Sequence, residues 1–286
     1  QCGTPAERPC PCGRNGGRGR AIPRSWCFVD WTGWPAGVPP EAERGVSGIV
    51  NALYLYGLGS LANLYELTGD TVMADYFRRR GRELAETVIR VFWRGERNLF
   101  ADTVDDRSFS EHMQVLMLLS GFLPERIERA CGRGLCGDES LVRATVYFCF
   151  YLFEAYRKLQ RPDLFDRRLD VFRSMETLGL ATLLEEPEPS RSDCHAWSAH
   201  ILWHFYASML GVRPVGYGFR EVEVCPQLLP GRRICGRVAH PAGGVIEVEV
   251  DAEGAVVTLP PGLHGNYRFP DGRRIALVPG RNEIKG

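Results

Sequence analysis

The hydrophobic period of this chain changes once, at Gly211, and that change excludes most folds. Before it, apolar residues recur every three or four positions; after it, they alternate. Residues 46–67 place Ile49, Leu53, Leu55, Leu58, Leu61, Leu64 and Leu67 at such steps, which predicts a helix. Thr68-Gly69-Asp70 ends it and supplies the N-cap of a second helix over 71–93, with Tyr76, Phe77, Leu84, Val88, Ile89 and Phe92 apolar. Further helices are expected over 110–119, opened by Ser110-Glu111, and over 139–159, 163–177 and 195–210. An Asp-rich connection (Leu99 to Phe109) and a Gly/Arg turn between Cys131 and Cys136 interrupt them. Nothing here alternates helix with strand, so α/β is excluded. The repeat period of a helical solenoid is missing, which favours part of a closed α/α toroid over a superhelical array.

From 219 onward the chain reads as short strands: 220–224, 237–240, 245–250, 255–259, 267–269, 274–278 and 282–284. Gly243-Gly244, Glu253-Gly254 and Asp271-Gly272 are turn signals between them. The expected fold class is mainly α with an all-β C-terminal domain, the latter small and antiparallel.

Composition narrows the function. The 286 residues balance 35 Lys+Arg against 35 Asp+Glu, so no basic excess exists to offset nucleic-acid phosphate. No apolar run approaches the ~20 residues of a membrane span. Neither nucleic acid nor membrane is expected as a partner. The ten Cys include no paired CxxC, so no zinc site and no cofactor are expected. They read as thiols packed like small hydrophobes in a reducing compartment such as the cytoplasm. Residues 1–24 are rich in Gly, Pro, Arg and Cys and read as irregular, a truncated or mis-framed start; the natural protein is expected to extend further.

Chemistry concentrates in Thr182–His200, TLLEEPEPSRSDCHAWSAH. Pro187 and Pro189 forbid regular helix, so Glu185, Glu186 and Glu188 sit on a loop. A carboxylate there can act as a general base on water, or belong to a solvated acidic run. His195 heads the last helix, with Ser192 and Asp193 as capping candidates. A neutral imidazole both donates and accepts, as a sugar hydroxyl requires. His200 and His204 share a helix face, but the residue after His200 is Ile201 and no third ligand is evident, so no metal is expected. Phe28-Val29-Asp30-Trp31-Thr32-Gly33-Trp34-Pro35 offers an anionic acceptor beside two aromatic plates, which either contact a ligand or plug a core end. Ser110-Glu111-His112 reads as a cap followed by an exposed polar pair.

Taken in order, FVDWTGWP, FSEHMQVLML and ATLLEEPEPSRSDCHAWSAHILWHFYASMLGVRPVGYGFREVEVCPQL resemble the α-L-rhamnosidase family of glycoside hydrolases, family 78, over roughly residues 25–286. The resemblance implies an (α/α)6 barrel, of which 25–214 would be about six of twelve helices, followed by a β-sandwich over 215–286. It implies an inverting hydrolase of terminal α-L-rhamnose. Glu185 falls at the general base, with Glu186 as the alternative if the register slips. His195 matches a sugar-contacting His and Trp31 an aromatic wall; Asp30 and Trp197 are further substrate contacts. The family's acidic, Arg-containing motif for the general acid has no counterpart before FVDW, which places the acid upstream. Another (α/α)6-barrel glycosidase and a non-catalytic carbohydrate-binding protein remain as alternatives.

Overall fold

The computed structural model describes residues 26–186 and 188–285. The chain divides into two compact units: one closes at Ala155 and takes in Glu186–Arg191, and the other holds Tyr156–Glu185 and the residues from Ser192 on.

In the first unit, α1 (Gly48–Leu67) and α2 (Thr71–Phe92) form a hairpin. Ser47 caps α1 and Asp70 caps α2, its carboxylate accepting from the Met73 amide at 3.0 Å. Gly69 turns the chain with a φ of 84°, which a side chain would resist. The buried face of α1 is Ile49, Ala52, Leu55, Leu58 and Ala62, whereas Leu53, Leu61, Leu64 and Leu67 are exposed. The leucines that mark α1 in the sequence therefore span two faces, and small alanines mark the inner one. A two-rung hairpin follows, β1 (Trp93–Arg94) with β2 (Leu99–Phe100).

Helix α3 (Glu111–Leu119) is buried over Glu111–Leu118 and packs on α1. Helix α4 (Glu125–Gly137) stands where the sequence suggested a turn. Its inward residues, Ile127, Ala130, Cys131, Gly134 and Leu135, follow helical spacing. Gly134 faces the β1–β2 turn so closely that a Cβ would lie 2.3 Å from the Asn98 carbonyl oxygen. The glycine that looks like a turn signal is a close-packing device. Helix α5 (Cys149–Lys158) starts ten residues later than 139–159 predicts.

In the second unit, the predicted helix 163–177 breaks at Leu169 into α6 (Pro162–Arg168) and α7 (Asp170–Thr177). The predicted helix 195–210 is three short pieces: a 3-10 turn at Ala196–Ala199, α8 (His200–His204) and a π-helical turn at Phe205–Met209.

Two four-stranded sheets follow. One contains β3 (Val212–Val215), β4 (Glu221–Val224), β8 (His264–Arg268) and β9 (Arg274–Leu277), in that order. The other contains β5 (Ile234–Ala239), β6 (Val245–Val250), β7 (Gly254–Leu259) and β10 (Gly280–Lys285), ordered β10-β7-β6-β5. Pairing is antiparallel except between β4 and β8, which run parallel, against the all-antiparallel expectation. One apolar cluster draws on both sheets: Val222 and Val224 from β4, Ile246 and Val248 from β6, Val257 and Leu259 from β7. Each such side chain contributes about 1.5–3 kcal/mol on burial.

Gly265 makes the parallel pairing possible, because a Cβ there would lie 1.9 Å from the carbonyl oxygen of Val222, its partner on β4. Gly265→Ala should therefore cost about 1–3 kcal/mol by overpacking, read as a lower thermal midpoint. Gly57→Ala, into open space on α1, should be neutral or stabilise by up to about 1 kcal/mol. Equal effects at the two positions would refute this account of β4–β8.

Candidate functional site

In the second unit, the loop carrying Glu185 is zipped shut across its base. The Thr182 hydroxyl donates to the Asp193 carbonyl, the His195 amide to Leu183 at 2.8 Å, and the Glu185 amide to Ser192 at 2.9 Å. Two side chains following His195 complete the frame. The Trp197 indole Nε1 donates to the Glu185 carbonyl at 2.9 Å, and the Ser198 hydroxyl to the Leu184 carbonyl. Residues that cannot form a helix thus satisfy their backbone groups locally. Glu185 is buried, at 3% exposure, with its Oε2 3.8 Å from His195 Nδ1. The His195 ring lies 4.3 Å from Trp197, centroid to centroid, and is partly exposed. Glu185, His195 and Trp197 are therefore one cluster. His195 itself stands at the cap of the 3-10 turn and its side chain makes no cap bond; the Ser192 hydroxyl donates to the Cys194 carbonyl at 3.2 Å.

In the first unit, Asp30 is fully buried and both its oxygens accept twice. Oδ1 takes the Trp31 amide at 3.0 Å and the Thr145 hydroxyl; Oδ2 takes the Thr145 amide and His112 Nε2, each at 2.7 Å. In this structure Asp30 binds protein groups, and its carboxylate does not reach solvent. Glu111, expected to be exposed together with His112, is buried and accepts the Ala144 amide at 2.7 Å; His112 is buried completely. Because the Ala144 and Thr145 amides serve these carboxylates, helix α5 begins only beyond them. Trp31 is half-buried, packed near Phe28 and Trp26. The Arg191 guanidinium lies 4.5 Å from its ring centroid, and Arg191 Nε is 3.6 Å from Glu186 Oε1. Trp34 is half-buried with its ring 4.6 Å from His112. Glu188 is exposed and accepts the Ser190 amide at 3.0 Å.

His200 and His204 do share a face of α8, their rings edge-on at 5.5 Å, and His204 Nδ1 bonds the Ser208 hydroxyl at 2.9 Å. Among the described residues, no group of three His, Cys, Asp or Glu is placed to hold a metal ion. No described helix is long and apolar enough to cross a membrane.

Sequence reasoning missed three members of the first-unit network. Thr145 carries no motif. Gln114, in the buried face of α3, pairs with both backbone groups of Phe100, at 2.8 and 2.7 Å. Asp102 is buried and accepts from the Ser108 and Ser110 hydroxyls at 2.6 and 2.7 Å. The available signal was the polar SEHMQ placed directly against VLMLL, since polar residues heading an apolar run are buried with it.

No family model matches the chain, and no curated protein matches it. Solved structures do. A GH78 family rhamnosidase of Bacillus sp. GL1 superposes with a TM-score of 0.72 at 27% identity, over 86% of this chain and 28% of that one. An α-L-rhamnosidase from Dictyoglumus thermophilum gives 0.69 at 14% identity, over 91% and 34%. One from Aspergillus terreus gives 0.64 at 14% identity, over 82% and 29%. The fold is rhamnosidase-like, and the chain spans about a third or less of the length of these three proteins.

Asp102 provides a pH test of the buried network. Burial pushes its carboxyl above the ordinary 3.8, against the lowering effect of the Ser108 and Ser110 hydroxyls and of His112. The folded state then binds the proton more tightly than the unfolded chain, so stability falls as pH rises from 3.8 through the raised value. Asp102→Asn should flatten this slope in denaturant titrations run at several pH values. An unchanged slope would rule Asp102 out as its source.

Proposed function

We propose that this chain is the base-bearing part of an inverting α-L-rhamnosidase, acting on terminal α-L-rhamnose. The observation that carries the reading is the Glu185 carboxylate: buried, beside His195, on a backbone pinned from both sides, in a rhamnosidase-like fold. In this reading the helices of 25–214 belong to an (α/α)6 barrel and the strands of 215–286 form a β-sandwich.

An inverting hydrolase needs a base on the face of the sugar opposite the leaving group, with room for water between base and anomeric carbon. Glu185 suits that task. Its carboxylate is shielded from bulk solvent, and the Trp197 and Ser192 hydrogen bonds fix the main chain from which it projects. His195, partly exposed beside it, can hold a sugar hydroxyl as donor or acceptor. Trp197 packs against that imidazole and limits its swing. Glu186 is directed to Arg191, which favours Glu185 over its neighbour as the base. In the first unit, taken by itself, Trp31 is a candidate aromatic contact for sugar, and Asp30 serves it by holding its backbone. The acid that protonates the leaving oxygen is assigned to sequence upstream of this chain.

Glu185→Gln keeps the shape of the side chain and removes the base. In an enzyme that includes the upstream part, it should reduce aryl α-L-rhamnoside hydrolysis by about 10²–10⁴-fold, with little change in melting temperature. Retained turnover would overturn the assignment. Turnover of a different aryl glycoside would instead identify another glycosidase. Sugar binding without turnover would identify a carbohydrate-binding protein.

A further inference from the structure

We infer that His112 is a positioning residue for Trp31, acting through Asp30 on the first-unit aromatic side chain proposed to meet sugar. The inference rests on the proposed function in one respect, that Trp31 meets the sugar. The geometry otherwise comes from the first unit alone. His112 Nε2 and Asp30 Oδ2 are 2.7 Å apart with both side chains completely buried. A carboxylate only accepts, so the imidazole provides the proton of this bond. The other oxygen of the same carboxylate holds the Trp31 amide at 3.0 Å. His112 is thus one side chain away from the main chain of Trp31. Its ring is fixed between Trp34, at 4.6 Å, and Phe148, at 4.4 Å, so it has little freedom to follow a displaced partner. Among the described residues, its Nδ1 is buried without a hydrogen-bond partner, a cost that the Asp30 contact must outweigh.

Without the His112 donor, Oδ2 keeps, among the described residues, only the Thr145 amide, and a fully buried carboxylate loses part of its solvation by protein. The carboxylate then reorients or admits water, and the Trp31 backbone that it holds shifts with it. A displacement of about 1 Å in a positioning group can cost up to ~10²-fold in function. A residue that merely filled the core would lower stability while leaving the sugar affinity of the folded molecules intact.

The test is calorimetric titration of the 286-residue chain with L-rhamnose, beside thermal melts and near-UV circular dichroism. His112→Phe retains a ring between Trp34 and Phe148 but no donor, and should weaken binding by roughly tenfold. His112→Gln places an amide N–H near the Nε2 position and should recover affinity to within about threefold of wild type. Wild-type affinity in a folded His112→Phe chain would overturn the inference, and so would equal weakening by Gln and Phe. If His112→Phe does not fold, Thr145→Val removes only the hydroxyl bond to the same carboxylate and should weaken binding several-fold; unchanged affinity there would also overturn it. Trp31→Ala separates the two readings. Its loss of binding beside an unaffected His112→Phe sinks the positioning role alone. Unchanged binding in Trp31→Ala, or no binding by wild type, removes the sugar site at Trp31 and the inference with it.

Discussion

A single buried carboxylate organises the first unit. Asp30 accepts four hydrogen bonds, and their donors come from three stretches distant in sequence: its own neighbour Trp31, His112 on α3, and Thr145 before α5. An ionised group taken out of water without partners would cost many kcal/mol. With every lone-pair direction met, the same group becomes a specific clamp on the segments that supply its donors. Its effects reach the secondary structure. The Thr145 and Ala144 amides turn toward Asp30 and Glu111, and helix α5 starts only at Cys149.

The Glu185 loop solves a related problem without regular structure. Its prolines remove helix as an option, so main-chain bonds between 183–185 and 192–195 close the base of the loop. The Trp197 and Ser198 side chains then take the Glu185 and Leu184 carbonyls, groups that would otherwise be left for solvent. An acidic run of this composition is normally solvated and mobile. Here Glu185 is held by its own backbone, which places it without depending on the charged tip residues Glu186 and Glu188.

How much was legible in the sequence depended on range. Strand β6 was readable because Glu247 and Glu249 separate Ile246, Val248 and Val250, so both faces show within a few residues. Strand β3 was not, because Pro214 lowers its strand signal; it is tolerated because β3 lies at the edge of its sheet. Helix α4 was hidden by glycines that serve close approach. In the site, the proximity of Glu185 to His195 and Trp197 was legible because a short loop joins them. The bond from Asp30 to His112 spans 82 positions and that to Thr145 spans 115, and no periodicity encodes such a pairing.

Asp30 and Glu185, both buried, differ in what their surroundings allow. Asp30 is committed: turning to a ligand would require it to release bonds from Thr145, His112 or Trp31, each holding a different piece of chain. A general base must instead gain and lose a proton on every turnover while its scaffold stays fixed. At Glu185 the main chain makes position-holding bonds of its own, its amide donating to Ser192 and its carbonyl accepting from Trp197. Protonating its carboxyl leaves those bonds intact. Separating the groups that hold position from the group that changes charge is what lets a carboxylate cycle inside a packed structure, and it is the physical reason to place the proposed chemistry on Glu185 and the architecture on Asp30.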